Sequence, residues 1–435
     1  MADLKVPFAR AEAADALSEG LPGWVREDRM GALQAFAATP VETSSLFIRH
    51  VVTEGAPVDR VGLGDAGAPA AEPPARATVP AGFAAAATLA DGVVTAIGTT
   101  EAAAAAGVRF SSIRQALATD PEWARARLQD PRVQSADKFF QLTRALYGDG
   151  LLLDVPDGVR LDGAVKVDVL DPTPGRAAFW RLSAHVGARA HAEVEESQGL
   201  GGAARPAGPA VAGVSTESVV GEGAELNYTA VGNLSRECGV FINRQAHAAA
   251  RAKVRFSLAN FGGALTKSLV HTQLSGDASE VKHAEVAFGT GTQRFDLSSF
   301  ATHEGRRAKS DVLARAALRN RSKGNVKGMI KIEHRGADAD SYLGQFALLL
   351  DPGAKAVAIP GLEIETSQVL RAKHAASVSQ IDESQVFYLG SRGVDADGAR
   401  RLIVEGFLSP AVAGSRSGAF RETVRALVES RWGEA

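Results

Sequence analysis

The sequence predicts a mainly β fold: a right-handed parallel β-helix core flanked by N-terminal and C-terminal helical regions. Three observations carry this. Val- and Leu-rich runs such as "LLLDVPDGVRLDGAVKVDVL" (151–170) are broken by Pro-Asp-Gly and Asp-Gly turns, which reads as short strands with tight connections. A Gly-x-x-Ala pattern recurs at Gly187/Ala190, Gly221/Ala224, Gly305/Ala308, Gly336/Ala339 and Gly353/Ala356, with Gly276/Ser279 as a degenerate copy. Glycine accounts for 45 of 435 residues and aromatics for 6%, so small side chains must fill much of the interior, as in stacked backbone layers.

Residues 1–148 read mostly as helix and linker. "GWVREDRMGALQAF" sets Trp24, Leu33 and Phe36 among good helix formers, and "DKFFQLTRALYGDG" spaces Phe139, Leu142, Leu146 and Tyr147 for a helix that Gly148 can stop. Between them, "GDAGAPAAEPPARATVPAG" is too rich in Ala, Pro and Gly to continue a helix and reads as a mobile or extended loop.

Residues 149–380 form the β-helix. The Gly-x-x-Ala spacings range from 17 to over 30 residues, so the repeat is not a strict array. One coil cannot bury its own apolar face. Coils stacked about 4.8 Å apart bury it and pair the backbone. Alternation alone leaves a β-sandwich as the second architecture.

Residues 381–435 return to helix. Asp382 can cap "ESQVFYLGSRG", with Gln385 placed for a capping box. "GVDADGARRLIVEGFL" sets Ala399, Leu402, Ile403, Gly406 and Phe407 on one face, and "GAFRETVRALVESRW" does so with Phe420, Val424, Leu427, Val428 and Trp432. These stripes either dock a partner or pack back onto the solenoid.

A formal net charge of −2 supplies no basic field for nucleic acid. The N-terminus lacks an apolar secretory segment and no run is long enough for a membrane span, which predicts a cytoplasmic protein. "NFGGALTKSL" lacks the glycine before Lys267 that a phosphate loop needs, and "GTGTQR" lacks the third glycine of a dinucleotide fingerprint. HExxH, CxxC and GxSxG do not occur, so no enzymatic activity is expected. The single cysteine, Cys238, reads as a small buried side chain.

Seven of the nine histidines fall between 185 and 334. His303 and His374 stand apart, each in a small-residue or turn context that would leave an imidazole reachable by iron or zinc. One histidine is not a site, so further ligands would have to come from another chain. For His374, ligand stands ahead of a strand-end histidine bonded to backbone. For His303 the order reverses.

The last third of the chain resembles the SufB/SufD family of iron–sulfur cluster assembly proteins. The residues that carry the likeness are "LLLDPGA", "IPGLEI", His374 followed by small residues, "DESQVFYLGSRG" and "RRLIVEGF", in family order. "QRFDLSSFATHEGRRAKSDVLARAAL" extends it back to Gln293, and "LLLDVPDGVRLDGAV" looks like the start of the family's β-helix. The first hundred residues match only loosely. SufB-type chains carry a cysteine where this chain has Gln345, and an acidic cluster where it has Lys373-His374-Ala375, so the chain looks like the SufD branch. SufD chains often carry a cysteine where this one has Ala372.

The resemblance implies a non-enzymatic scaffold subunit of the SUF system. It would pair with a SufB-like paralogue as a heterodimer and dock a SufC-type ATPase through Ala399, Leu402, Ile403, Phe407, Phe420, Val424 and Leu427 in a SufBCD complex. A transient iron–sulfur cluster would be shared with the partner chain and none is expected in the isolated chain. An unpaired strand edge also allows an isolated homodimer. Two rival readings are a β-helix carbohydrate-active protein and a homodimeric interaction protein with no cluster role.

Overall fold

The computed structural model describes residues 4–63, 73–200 and 207–433. The core is a parallel β-solenoid of about eight coils. Each coil gives one strand to each of two sheets, so successive strands alternate between them. The eleven-stranded sheet runs to Val369–Gln380 at its far edge, and the nine-stranded sheet runs to Lys355–Ile364. The coil pairs are parallel and in register, for example Leu226↔Val254↔Val281↔Ser310. This coiling excludes the β-sandwich.

The Gly-x-x-Ala pattern marks one corner of the coil. The third residue of each copy has positive φ: Arg189 59°, Gly223 66°, Arg251 56°, Ala278 57°, Arg307 55° and Asp338 60°. That strained conformation turns its N–H along the stack. Arg189, Gly223, Arg251, Ala278 and Arg307 each donate at 2.8 Å to the second carbonyl of the next turn. The fourth residue (Ala190, Ala224, Ala252, Ser279, Ala308 or Ala339) is buried inside the corner, where a larger side chain has no room. The first lies against the preceding turn: a Cβ on Gly305 would stand 2.2 Å from the Gly276 carbonyl oxygen. Two readings of the repeat are corrected. Gly353/Ala356 is out of register, because the buried residue there is Ala354, whose N–H donates to Asp351 at the opposite corner. A further copy, Ala249–Ala252, escapes the pattern because alanine replaces its first glycine.

Each terminus covers one outer face. The helices Gly23–Ala38 and Lys138–Leu146 lie over the nine-stranded sheet, where Phe139 stacks on Phe241 with centroids 4.2 Å apart. Beneath them Arg181 and Glu217 form an ion pair at 2.7 Å with both side chains fully buried. The C-terminal helices lie over the eleven-stranded sheet. There Trp432 stacks on Phe288, and Arg319 donates to the Trp432 carbonyl at 2.9 Å.

The first 148 residues contain more strand than the sequence suggested. Phe83–Ala90 and Val93–Thr99 form an antiparallel hairpin that extends the eleven-stranded sheet by parallel pairing with Ala164–Val169, and Arg109–Ser112 pairs antiparallel with Asp149–Val155. Residues 64–72 of the Ala/Pro/Gly-rich stretch lie outside the described residues; its remainder includes the short strand Ala75–Arg76.

Gly305→Ala is expected to cost about 2–3 kcal/mol, because either the corner or its neighbour must move. Gly390→Ala, on a helix with nothing within 4 Å of the new methyl, should instead stabilise by up to about 1 kcal/mol. Urea-unfolding midpoints of the two variants test the contrast.

Candidate functional site at the open end of the solenoid

The two ends of the solenoid are built differently. At the start, the outermost strands are short: Ala75–Arg76 has two residues and Arg109–Ser112 has four. At the far end, the last strands have ten and twelve residues, and each is hydrogen-bonded to a neighbour on one side. Two long rows of backbone donors and acceptors therefore face outward, the arrangement that templates pairing with another chain. Apolar side chains are also exposed there: Leu370 at 73%, with Ile364 and Val378.

His374 lies on that last strand. It is in register with Leu343, which follows Val312, His283, Phe256, Tyr228 and Val194 in a column of buried, core-facing residues. His374 continues the column one coil further, where nothing stacks on top. It is therefore exposed, although its position in the pleat points toward the interior. Ala372 and Ala376 flank it on the same face. Gln345 lies one coil below, in register with Ala376, fully buried and with neither amide atom hydrogen-bonded. Among the described residues, no group of three or more His, Cys, Asp or Glu is placed to hold a metal ion.

His303 differs from the expectation of a reachable imidazole. It has no solvent exposure, its Nε2 is 2.8 Å from the Ser310 hydroxyl, and burial holds its pKa down at about 4. Its role is packing. His271 and His185 are likewise held neutral by burial, each at about 4. Cys238 is fully buried and its thiol is pushed well up by desolvation. Lys267, from the rejected phosphate loop, sits 2.6 Å from Asp296, which also holds Lys327 at 2.9 Å; it closes a buried ion cluster.

The C-terminal helices place the predicted docking residues in two groups. Ala399, Phe420 and Val424 are buried, and Ile403, Phe407 and Leu427 pack against a cluster that includes Phe261, Val286 and Phe288 of the sheet. Arg315 reinforces this by donating to the Phe407 carbonyl at 2.6 Å. Of the two readings open for the stripe, these six positions follow the one in which the tail packs back: Ala399 packs with Ile381 and Val386 inside the tail, and the other five pack in the cluster shared with the sheet or against it. Leu402 remains exposed at 46%. The largest exposed side chains of the tail are Phe387 at 79% and Tyr388 at 58%, on the helix Glu383–Ser391 that Asp382 caps. The sequence held a signal for them: Val386, Phe387 and Tyr388 are adjacent, and one helix cannot bury all three on one side.

The fold and its open end define a class: parallel β-solenoid proteins with helical termini and a last coil whose outer strand edges are unpaired within the chain. Comparison with known proteins makes the class specific. Residues 171–407 match the family model described as SUF system FeS cluster assembly, SufBD core domain. The chain belongs to the SufBD family. It is similar to the iron–sulfur cluster assembly protein SufD of Bacillus subtilis (strain 168), at 29% identity over 276 residues, 63% of this chain and 62% of that protein. It is also similar to SufBD family proteins of Staphylococcus aureus (strain USA300) and Staphylococcus epidermidis, each at 23% identity over 70% of this chain and 64% of theirs. The chain thus spans less than two thirds of the length of these relatives. It is SufD-like within the family.

The depressed histidines set a pH dependence. An imidazole that titrates near 6.5 when unfolded and at about 4 when folded, as at His185, His271 and His303, binds fewer protons in the native state between those values. Asp149, raised by burial to about 6, and Asp137, also raised by burial, act in the opposite sense but are outnumbered, since burial lowers His247 as well. Stability should therefore fall as pH drops from about 6.5 toward 4. Denaturant midpoints at pH values across that range should decline, and His303→Asn should flatten part of the decline.

Proposed function

We propose that the chain is a cytoplasmic, non-enzymatic scaffold subunit of the SUF system. It pairs coil to coil with a SufB-like paralogue and docks a SufC-type ATPase on its C-terminal helices. The observation that carries this reading is the last coil, with two long unpaired strand edges and a histidine in the core-facing column between exposed apolar residues. An iron–sulfur cluster is the cargo assembled at the seam. His374 offers it one imidazole, and the partner supplies the remaining ligands. Imidazole is a rarer cluster ligand than thiolate, which suits a site that must release what it builds.

The docking surface for the ATPase is formed by Phe387, Tyr388 and Leu402. Phe387 and Tyr388 lie a few residues beyond the last strand, so an event at the ATPase can reach the seam through the short connection at Ile381 and Asp382. The other six apolar positions act as the base that holds this surface against the sheet.

Two measurements test the proposal. Anaerobic reconstitution of the complex with iron and sulfide should yield about tenfold less bound cluster in His374→Ala, a loss on the scale of removing a metal-site group. An unchanged yield would remove His374 from the site. In addition, Phe387→Ser and Leu402→Ser should weaken ATPase binding by about tenfold each, as for central interface residues. Their melting temperatures should stay unchanged, whereas Phe420→Ala should cost about 3–5 kcal/mol of stability.

A further inference from the structure

Gln345 is fully buried, and both its amide oxygen and its amide nitrogen lack a hydrogen-bond partner. Leaving a buried donor or acceptor unpaired costs free energy, so native proteins satisfy such groups or use them. The surroundings show that the position is shaped for this side chain. Across the interior, a Cβ on Gly328 would lie 2.5 Å from the Gln345 amide nitrogen; the amide occupies space where another residue would carry a side chain. The next coil below offers Ala314 in register and the next above offers Ala376, neither with a polar side chain. Pro360, the last-coil residue above Gly328, has no N–H to give.

Across the interior, Ser299 pairs with Gly328 and carries a buried hydroxyl that also lacks a partner; within its own sheet, one polar side chain neighbours this amide on the same face. His374 pairs with Leu343, two residues from Gln345 on the same face, so His374 and Gln345 are diagonal neighbours on adjacent strands. Such neighbours lie about 7–8 Å apart, within reach of two long side chains. Ala372 and Ala376, on either side of His374 on that face, leave room for the ring to turn inward.

We propose that Gln345 is a positioning residue for His374. Its amide oxygen accepts the N–H of the imidazole when the ring turns in over Ala376. The bond fixes one ring tautomer and points the other nitrogen, unprotonated, out of the open end. Metal-bound histidines are held in this way by a carbonyl or carboxylate on the nitrogen opposite the metal. The amide is kept unpaired within the core so that the ring can take it up. The inference rests on the proposed role of His374, but its readout does not require a cluster.

The experiment uses the full chain with 15N-labelled histidine, at about pH 8.5, well above the ordinary imidazole range. The His374 signals are assigned by their loss in His374→Ala. The wild type should favour one neutral tautomer. Gln345→Met, which keeps the volume and removes the amide, should shift the ratio toward that of free imidazole by about fivefold, the equilibrium equivalent of one net hydrogen bond. Gln345→Leu should do the same. Both variants should melt at or above the wild-type temperature, since no satisfied core bond is lost. Equal tautomer ratios in wild type and both variants would overturn the proposal. So would a clear fall in melting temperature without a tautomer change, which would show the amide serving the core. If His374→Ala leaves cluster loading intact while the tautomer shift is seen, the cluster role fails and the positioning contact stands.

Discussion

Every coil of this solenoid depends on the next for its hydrogen bonds. A strand in the middle of either sheet has both rows of backbone groups paired, and the corner turns extend the pairing around the bend. The left-handed residue at the third corner position is the device that does this. Five of the six residues that hold it are not glycine, and each is strained in isolation. The N–H it aims along the stack answers that strain with a bond that no ordinary turn would offer. The small buried residue after it and the glycine before it follow from the same geometry, because a coil spacing set by backbone bonds leaves no depth for a side chain at the bend.

The termini act as covers. Once two sheets face each other, their inner faces fill one core, and each outer face remains half apolar. The N-terminal helices and the ion pairs beneath them cover one; the C-terminal helices cover the other. Burying Arg181 with Glu217, or Lys267 and Lys327 with Asp296, is a costly way to attach a helix layer unless every charge is matched. That matching ties the register of the cover to that of the sheet, so the helices cannot slide along the solenoid.

The parts of the fold legible in the sequence are those where one physical demand acts alone. The corner demands a small residue every coil, and Ala190, Ala224, Ala308 and Ala339 show it plainly. Ala249 hides a copy because the demand at the first corner position is for little bulk rather than for glycine as such. The hairpin at 83–99 is hard to read in the sequence because its first strand, "FAAAATLA", is alanine-rich and weak in strand formers. Its signal was Asp91-Gly92, both at positive φ as a two-residue hairpin turn requires. His303 and His374 look alike in sequence. They differ in whether a coil lies above them, which depends on where the stack ends. The C-terminal stripe was visible as amphipathic, but periodicity gives the face and not what it meets.

The unequal ends have a further consequence. A solenoid with two similar, open ends would stack head to tail without limit and grow into a fibre. Here the starting end closes with a hairpin and strands of two and four residues, too short to template a neighbour. On the pairing proposed above, the far end meets another far end. Association of that kind is face to face, consumes both surfaces at once and leaves nothing for a third body to join. On that proposal, the same backbone rule that extends the fold within the chain is limited, between chains, to a single closed pair.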